Sequence, residues 1–135
     1  MNVPFVVPFY AAIFALLYVG LTIRVIALRN ATRVSLGSGG DPTLERAIRI
    51  HANFIEYVPL ALILLIAMEM QHSSRYLLHI LCLLLLVARI CHFIALSREN
   101  TANPLRGAGV GLTVLVLVVA AIVLIVNFFA VLPTI

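Results

Sequence analysis

"ERAIRIHANFIEYVP", residues 45–59, sets two arginines, a histidine, an asparagine and two glutamates where an apolar run begins. "LALILLIAMEM", residues 60–70, follows directly and is oily enough to lie in hydrocarbon. Read as one helix, the stretch places Arg49, Asn53 and Glu56 at i, i+4 and i+7, on a single face. Arg46 extends that line one turn outward, Tyr57 lies beside it, and His51 points to another side. Glu56 falls ~15 Å along the helix from Arg46, too deep to reach the interface easily. It must face protein or water.

The surrounding composition makes the depth meaningful. Of 135 residues, 64% are hydrophobic and 10% charged, and mean hydropathy is +1.18. In water such a chain would expose large apolar patches, so its solvent is lipid. The net charge of +4 comes from arginine alone, since there is no lysine. These arginines stand at the edges of apolar runs and inside two of them, not interleaved with aromatics, which argues for a membrane role and against nucleic acid. Cys82 and Cys91 lie too far apart on one helix to bridge and read as packing thiols. No metal-ligand spacing is present.

Four apolar segments, about 3–28, 46–70, 76–97 and 107–131, each have the length that ~30 Å of hydrocarbon demands. A spanning segment must satisfy its own backbone, so the expected fold is all-α, an integral membrane four-helix bundle in one domain over 1–135. The first segment lacks a positively charged leader and is read as a retained span. Between spans one and two, Gly37, Gly39, Gly40 and Pro42 mark a loop, with Asp41 placed as an N-cap ahead of proline at N1. "QHSSR" makes a tight turn, and Pro104 opens the fourth helix. Arg24, Arg29, Arg33, Arg46, Arg49, Arg98 and Arg106 hold or border the first and third connections, against Arg75 alone on the other side. The positive-inside rule then sets both termini on the non-cytoplasmic side. Gly107, Gly109 and Gly111 have the wrong spacing for a dinucleotide loop and read as small residues for close helix approach.

A charge within a span costs at least about 2.5–3.5 kcal/mol and calls for a partner or a function. Span three brings Arg89 and His92 at i, i+3, and Glu56 and Arg89 are placed to neutralise one another across the bundle. Arg49, Arg106 and one arginine at the end of span one are then in surplus. Several guanidiniums with one acid and one amide suit a ligand carrying carboxylates and an amino group. Pro59 is expected to kink span two, Asn127 to bond a neighbouring helix, and His79 to pack near the interface.

"ERAIRIHANFIEYVPL", together with "ARICHF" in span three and "NPLRG" at span four, resembles the MAPEG family, membrane-associated proteins in eicosanoid and glutathione metabolism. The resemblance implies a homotrimer of four-helix subunits in a bacterial inner membrane, with glutathione as co-substrate held between subunits. It implies a glutathione transferase, or peroxidase, acting on a hydrophobic electrophile or lipid that enters from the bilayer. By motif, Arg49, Asn53, Glu56, Tyr57, Arg89, His92 and His51 would bind glutathione. Arg106, or next Arg29 in "RNATRVS", would favour the thiolate. Leu96 stands where several such enzymes have tyrosine, and Ala52 where some have arginine. Those departures keep a second reading open, a non-catalytic glutathione- or lipid-binding scaffold.

Overall fold

A computed structural model describes residues 4–97 and 104–131. Four helices run through it: α1 (Val6–Thr32), α2 (Pro42–Met70), α3 (Arg75–Ser97) and α4 (Pro104–Val131). All four are long and apolar enough to cross a membrane. The expected four-helix membrane bundle is thus the observed one. Three of the four helices outrun their apolar segments at the polar end. α1 continues to Thr32, whereas α2 and α4 begin at Pro42 and Pro104.

Local chemistry accounts for these ends. Asp41 Oδ1 accepts from the backbone N–H groups of Thr43 and Leu44, each at 2.8 Å, and Pro42 occupies the first helical position. α2 stops in a Schellman-type turn. Ser73 N–H donates to the Met68 carbonyl at 3.1 Å and His72 N–H to that of Glu69 at 3.0 Å, with His72 left-handed at φ 59°. α1 ends similarly, with Arg33 at φ 55° and Val34 N–H on the Arg29 carbonyl at 3.2 Å.

The start of α1 is capped from a distance. No side chain within its own turn serves it; instead the Glu69 carboxylate, near the end of α2, accepts from the N–H groups of Phe5, Val6 and Val7 at 2.7, 2.6 and 2.8 Å. Beside it Tyr10 Oη lies 3.1 Å from His79 Nδ1, and Asn127 donates to the Gln71 side chain at 3.1 Å, so the asparagine does join a neighbouring element.

The buried residues divide the bundle into two halves. At the end where α1 starts, Val7, Phe14, Leu65, Met68, Leu78 and Leu85 form a wholly apolar core. At the end that carries the α1–α2 loop, Arg89, His92 and Thr113 are buried alongside apolar residues such as Leu44, Ile50 and Ala88. Gly109 allows this: a Cβ there would sit 2.8 Å from the Ala88 carbonyl oxygen and 3.0 Å from His92 N, so glycine lets α4 touch the backbone of α3. Gly107 and Gly111 meet nothing within 4 Å, and close approach rests on Gly109 alone among the three. Cys82 is buried and both cysteines are free.

Candidate functional site

Arg89 is the centre of the polar half. Only 5% of it is exposed, and its guanidinium ties three helices together. Nη1 donates to Asn53 Oδ1 of α2 at 2.8 Å, while Nη2 donates to the Gly109 carbonyl at 3.3 Å and to the Thr113 hydroxyl, both on α4. Thr113 spends its own proton on the Gly109 carbonyl at 2.8 Å, which leaves its oxygen to accept from Arg89. The Tyr57 ring lies under the guanidinium, 5.9 Å from centroid to Cζ, within cation–π range. Arg89 Nε is buried with no hydrogen-bond partner. Every partner found is neutral.

The expected Glu56–Arg89 pair therefore does not form, and among the described residues no ion pair joins them. The reason is helix rotation. α2 turns Leu44, Ala47, Ile50, Phe54, Val58 and Ala61 inward, which places Asn53 at the edge of the buried stripe and Arg49 and Glu56 on the exposed side. The spacing argument rightly set Arg49 and Glu56 on one face, and that face looks out of the bundle.

The other predicted site residues are scattered. His92 is buried one turn beyond Arg89, and the guanidinium of Arg106, exposed at the start of α4, lies within electrostatic reach of it. His51 turns to α1, with Nε2 3.1 Å from Thr22 Oγ1 and its ring stacked on Tyr18 at 5.2 Å. Thr22 donates to the Tyr18 carbonyl at 2.9 Å, so it accepts from a protonated His51 Nε2. Arg29 donates to the carbonyls of Val34 and Gly37 at 3.3 and 3.0 Å and so holds the α1–α2 loop. Leu96 is half-buried on α3. Arg98 lies outside the described residues.

Sequence reasoning did not single out Thr113, a residue that passes unnoticed in an apolar run, nor the placement of Arg24. Arg24, not Arg29, reaches α3: its Cζ sits 5.3 Å from the Phe93 ring centroid and Nη1 donates to Ser97 at 3.4 Å. Arg24, Arg89 and His92 share a groove of about 310 Å³ between α1, α2 and α3.

Together these features define a four-helix membrane protein with a cationic polar cluster buried between its spans at one end. The MAPEG family profile matches residues 7–126, and the chain belongs to that family. It is similar to inner membrane protein YecN of Escherichia coli strain K12, 40% identical over 84 residues, which is 62% of this chain and 64% of that protein. The protein of the same name from Escherichia coli O6:H1 strain CFT073 matches equally, 40% over 84 residues. The match thus spans a little under two thirds of either relative.

Proposed function

We propose that this chain is a membrane-bound glutathione transferase of the MAPEG family, working as a homotrimer in a bacterial inner membrane with both termini on the non-cytoplasmic side. The observation that carries this reading is the exposed pair on α2. Arg49 and Glu56 stand within a span, on one outward face, and neither has a bonded partner among the described residues. Facing lipid, each would cost about 2.5–3.5 kcal/mol. A second subunit packed on this face, with a zwitterionic tripeptide between, relieves both. Arg49 takes a carboxylate bidentately, Glu56 takes the amino group, and Asn53 and Tyr57 stand at the edge of the same face.

In this reading Arg106 supplies the charge that holds the sulfur as thiolate, with Arg29 the second candidate. The thiol proton leaves to solvent. The sulfur then attacks an apolar electrophile arriving from the bilayer, so that an S–C bond forms as the leaving group departs with its electron pair. Lipid hydroperoxides are the alternative electrophile: an S–O bond forms as the O–O bond breaks, the alkoxide takes a proton from solvent and leaves as the alcohol, and a second glutathione converts the sulfenic acid to glutathione disulfide and water. The half-buried Leu96, with no hydroxyl to offer a sulfur, favours the second reading of a glutathione-binding scaffold without turnover.

Calorimetric titration of glutathione into the purified protein, in parallel with conjugation of 1-chloro-2,4-dinitrobenzene and reduction of cumene hydroperoxide, separates the two. Arg49→Ala and Glu56→Ala are expected to weaken glutathione binding about 10- to 100-fold, the range for losing a charge-assisted bond. Unchanged affinity in both variants overturns the site. Binding without turnover of either electrophile overturns the transferase and leaves the scaffold.

A further inference from the structure

The groove between α1, α2 and α3 lies apart from the exposed Arg49 and Glu56 face that carries the glutathione reading, although Arg89 and His92, which the family motif assigns to glutathione, line it, and its chemistry points elsewhere. Its walls are leucine and isoleucine side chains with Phe54 and Phe93, broken only by Gly20 on α1 and by Arg24, Arg89 and His92 at the end nearer the loop. Among the described residues no acid lines it. Its volume, about 310 Å³, falls at the small end of the ~300–1,000 Å³ typical of ligand sites. Leu16 and Ile90 at its margin are 75% and 46% exposed, so it opens sideways, on the lateral surface of the bundle.

Arg24 makes the groove more than a crevice. It lies eight residues short of the end of α1 at Thr32, ~12 Å along the helix, where a cation needs an anion nearby. Its partners among the described residues, the Ser97 hydroxyl and the Phe93 ring, carry no charge, and a guanidinium has five donors to offer. Across the groove the Arg89 guanidinium is likewise surrounded by neutral acceptors and keeps Nε unpartnered. Two guanidiniums with no charged partner among the described residues, at one end of an apolar trough on the side of the bundle, fit an occupant with an anionic head and a hydrocarbon tail.

We infer that this groove binds one anionic phospholipid drawn from the surrounding leaflet, its phosphate on Arg24 and one acyl chain laid along α1 across Gly20. The side opening selects for a molecule already resident in the bilayer. The one-signed charge selects against zwitterionic headgroups. Gly20 leaves the trough unobstructed, because a Cβ there would meet nothing within 4 Å.

Native mass spectrometry of the full chain, released from micelles doped with phosphatidylglycerol, phosphatidylcholine of matched chains, or oleate, tests this. The wild type should retain one phosphatidylglycerol per chain, about tenfold in preference to phosphatidylcholine. Arg24→Gln should bring that preference to about twofold or less, and Gly20→Leu, which fills the trough, should abolish retention of both lipids at unchanged thermal stability. Equal retention of the two phospholipids by wild type, preferential retention of oleate, or undiminished retention in Gly20→Leu overturns the assignment. Should Gly20→Leu fail to fold, the wild-type preference and its loss in Arg24→Gln decide alone. None of these readouts involves glutathione, so the site stands or falls apart from the proposed activity.

Discussion

Glu69→Ala removes the acceptor for three N–H groups in the first turn of α1, and the cost can be worked from the structure. Bonds of 2.6–2.8 Å to an ionised carboxylate are short and charge-assisted. Bonds to charged groups contribute about 1.5–3 kcal/mol each where both partners are buried. Here the site lies at the bundle end and Phe5 is 83% exposed, so water replaces the carboxylate at that N–H. The other two bonds are part-buried, which discounts each to about 1 kcal/mol. With about 0.3–1 kcal/mol for the anion at a helix N-terminus, the expected loss is about 2–3 kcal/mol. Glu69→Gln keeps the reach and one acceptor oxygen and should cost about half as much. Glu69→Asp keeps the charge but is one methylene short of bridging to both oxygens' partners, and should fall between. Glu45, an exposed acid in the first turn of α2, is the control, with Glu45→Ala expected within about 0.5 kcal/mol of wild type. Unfolding in mixed micelles titrated with dodecyl sulfate and followed by far-ultraviolet circular dichroism gives the comparison. A Glu69→Ala protein within about 0.5 kcal/mol of wild type would refute the cross-helix cap.

The same titration reads four further substitutions. Arg89→Met should cost about 3 kcal/mol, because Asn53 and Thr113 lose a charged donor in a buried setting; a near-neutral result would show that the three-helix tie adds nothing. Gly109→Ala should cost about 1–3 kcal/mol, as its Cβ meets backbone at 2.8 Å, whereas Gly111→Ala should be neutral or slightly stabilising through helix propensity. Equal effects at the two glycines would contradict the contact between α3 and α4. His72→Gly should stabilise by up to about 1 kcal/mol, since φ 59° is easy for glycine and strained for histidine, and a loss of stability would mean that the His72 side chain has a role of its own.

Fold class was legible because hydrocarbon imposes one solution on an apolar segment of this length. The number of spans and the tight turn at "QHSSR" followed from that constraint. Helix ends were legible only where a local cap announced them. Asp41 and Pro42 did so, and α2 begins there, ahead of the apolar run. The site was half legible. Spacing shows which residues share a face, and Arg49 with Glu56 do share one. It does not show how a helix is rotated against its neighbours, which is why Asn53 and Thr113, not Glu56, meet Arg89. The Glu69 cap was invisible for a related reason: its acceptor and donors are more than sixty residues apart.

The guanidinium of Arg89 also bears on how the chain is built into the membrane. Its acceptors on α4, Gly109 and Thr113, are synthesised after α3, and until they arrive Asn53 is its one hydrogen-bond partner in the span behind it. A third helix waiting alone in hydrocarbon would carry that charge largely unsolvated. Only residues 98–103 separate the two helices, so the fourth follows the third at once. The last two spans are thereby made to enter lipid as a couple, the later one delivering the solvation that the earlier one lacks.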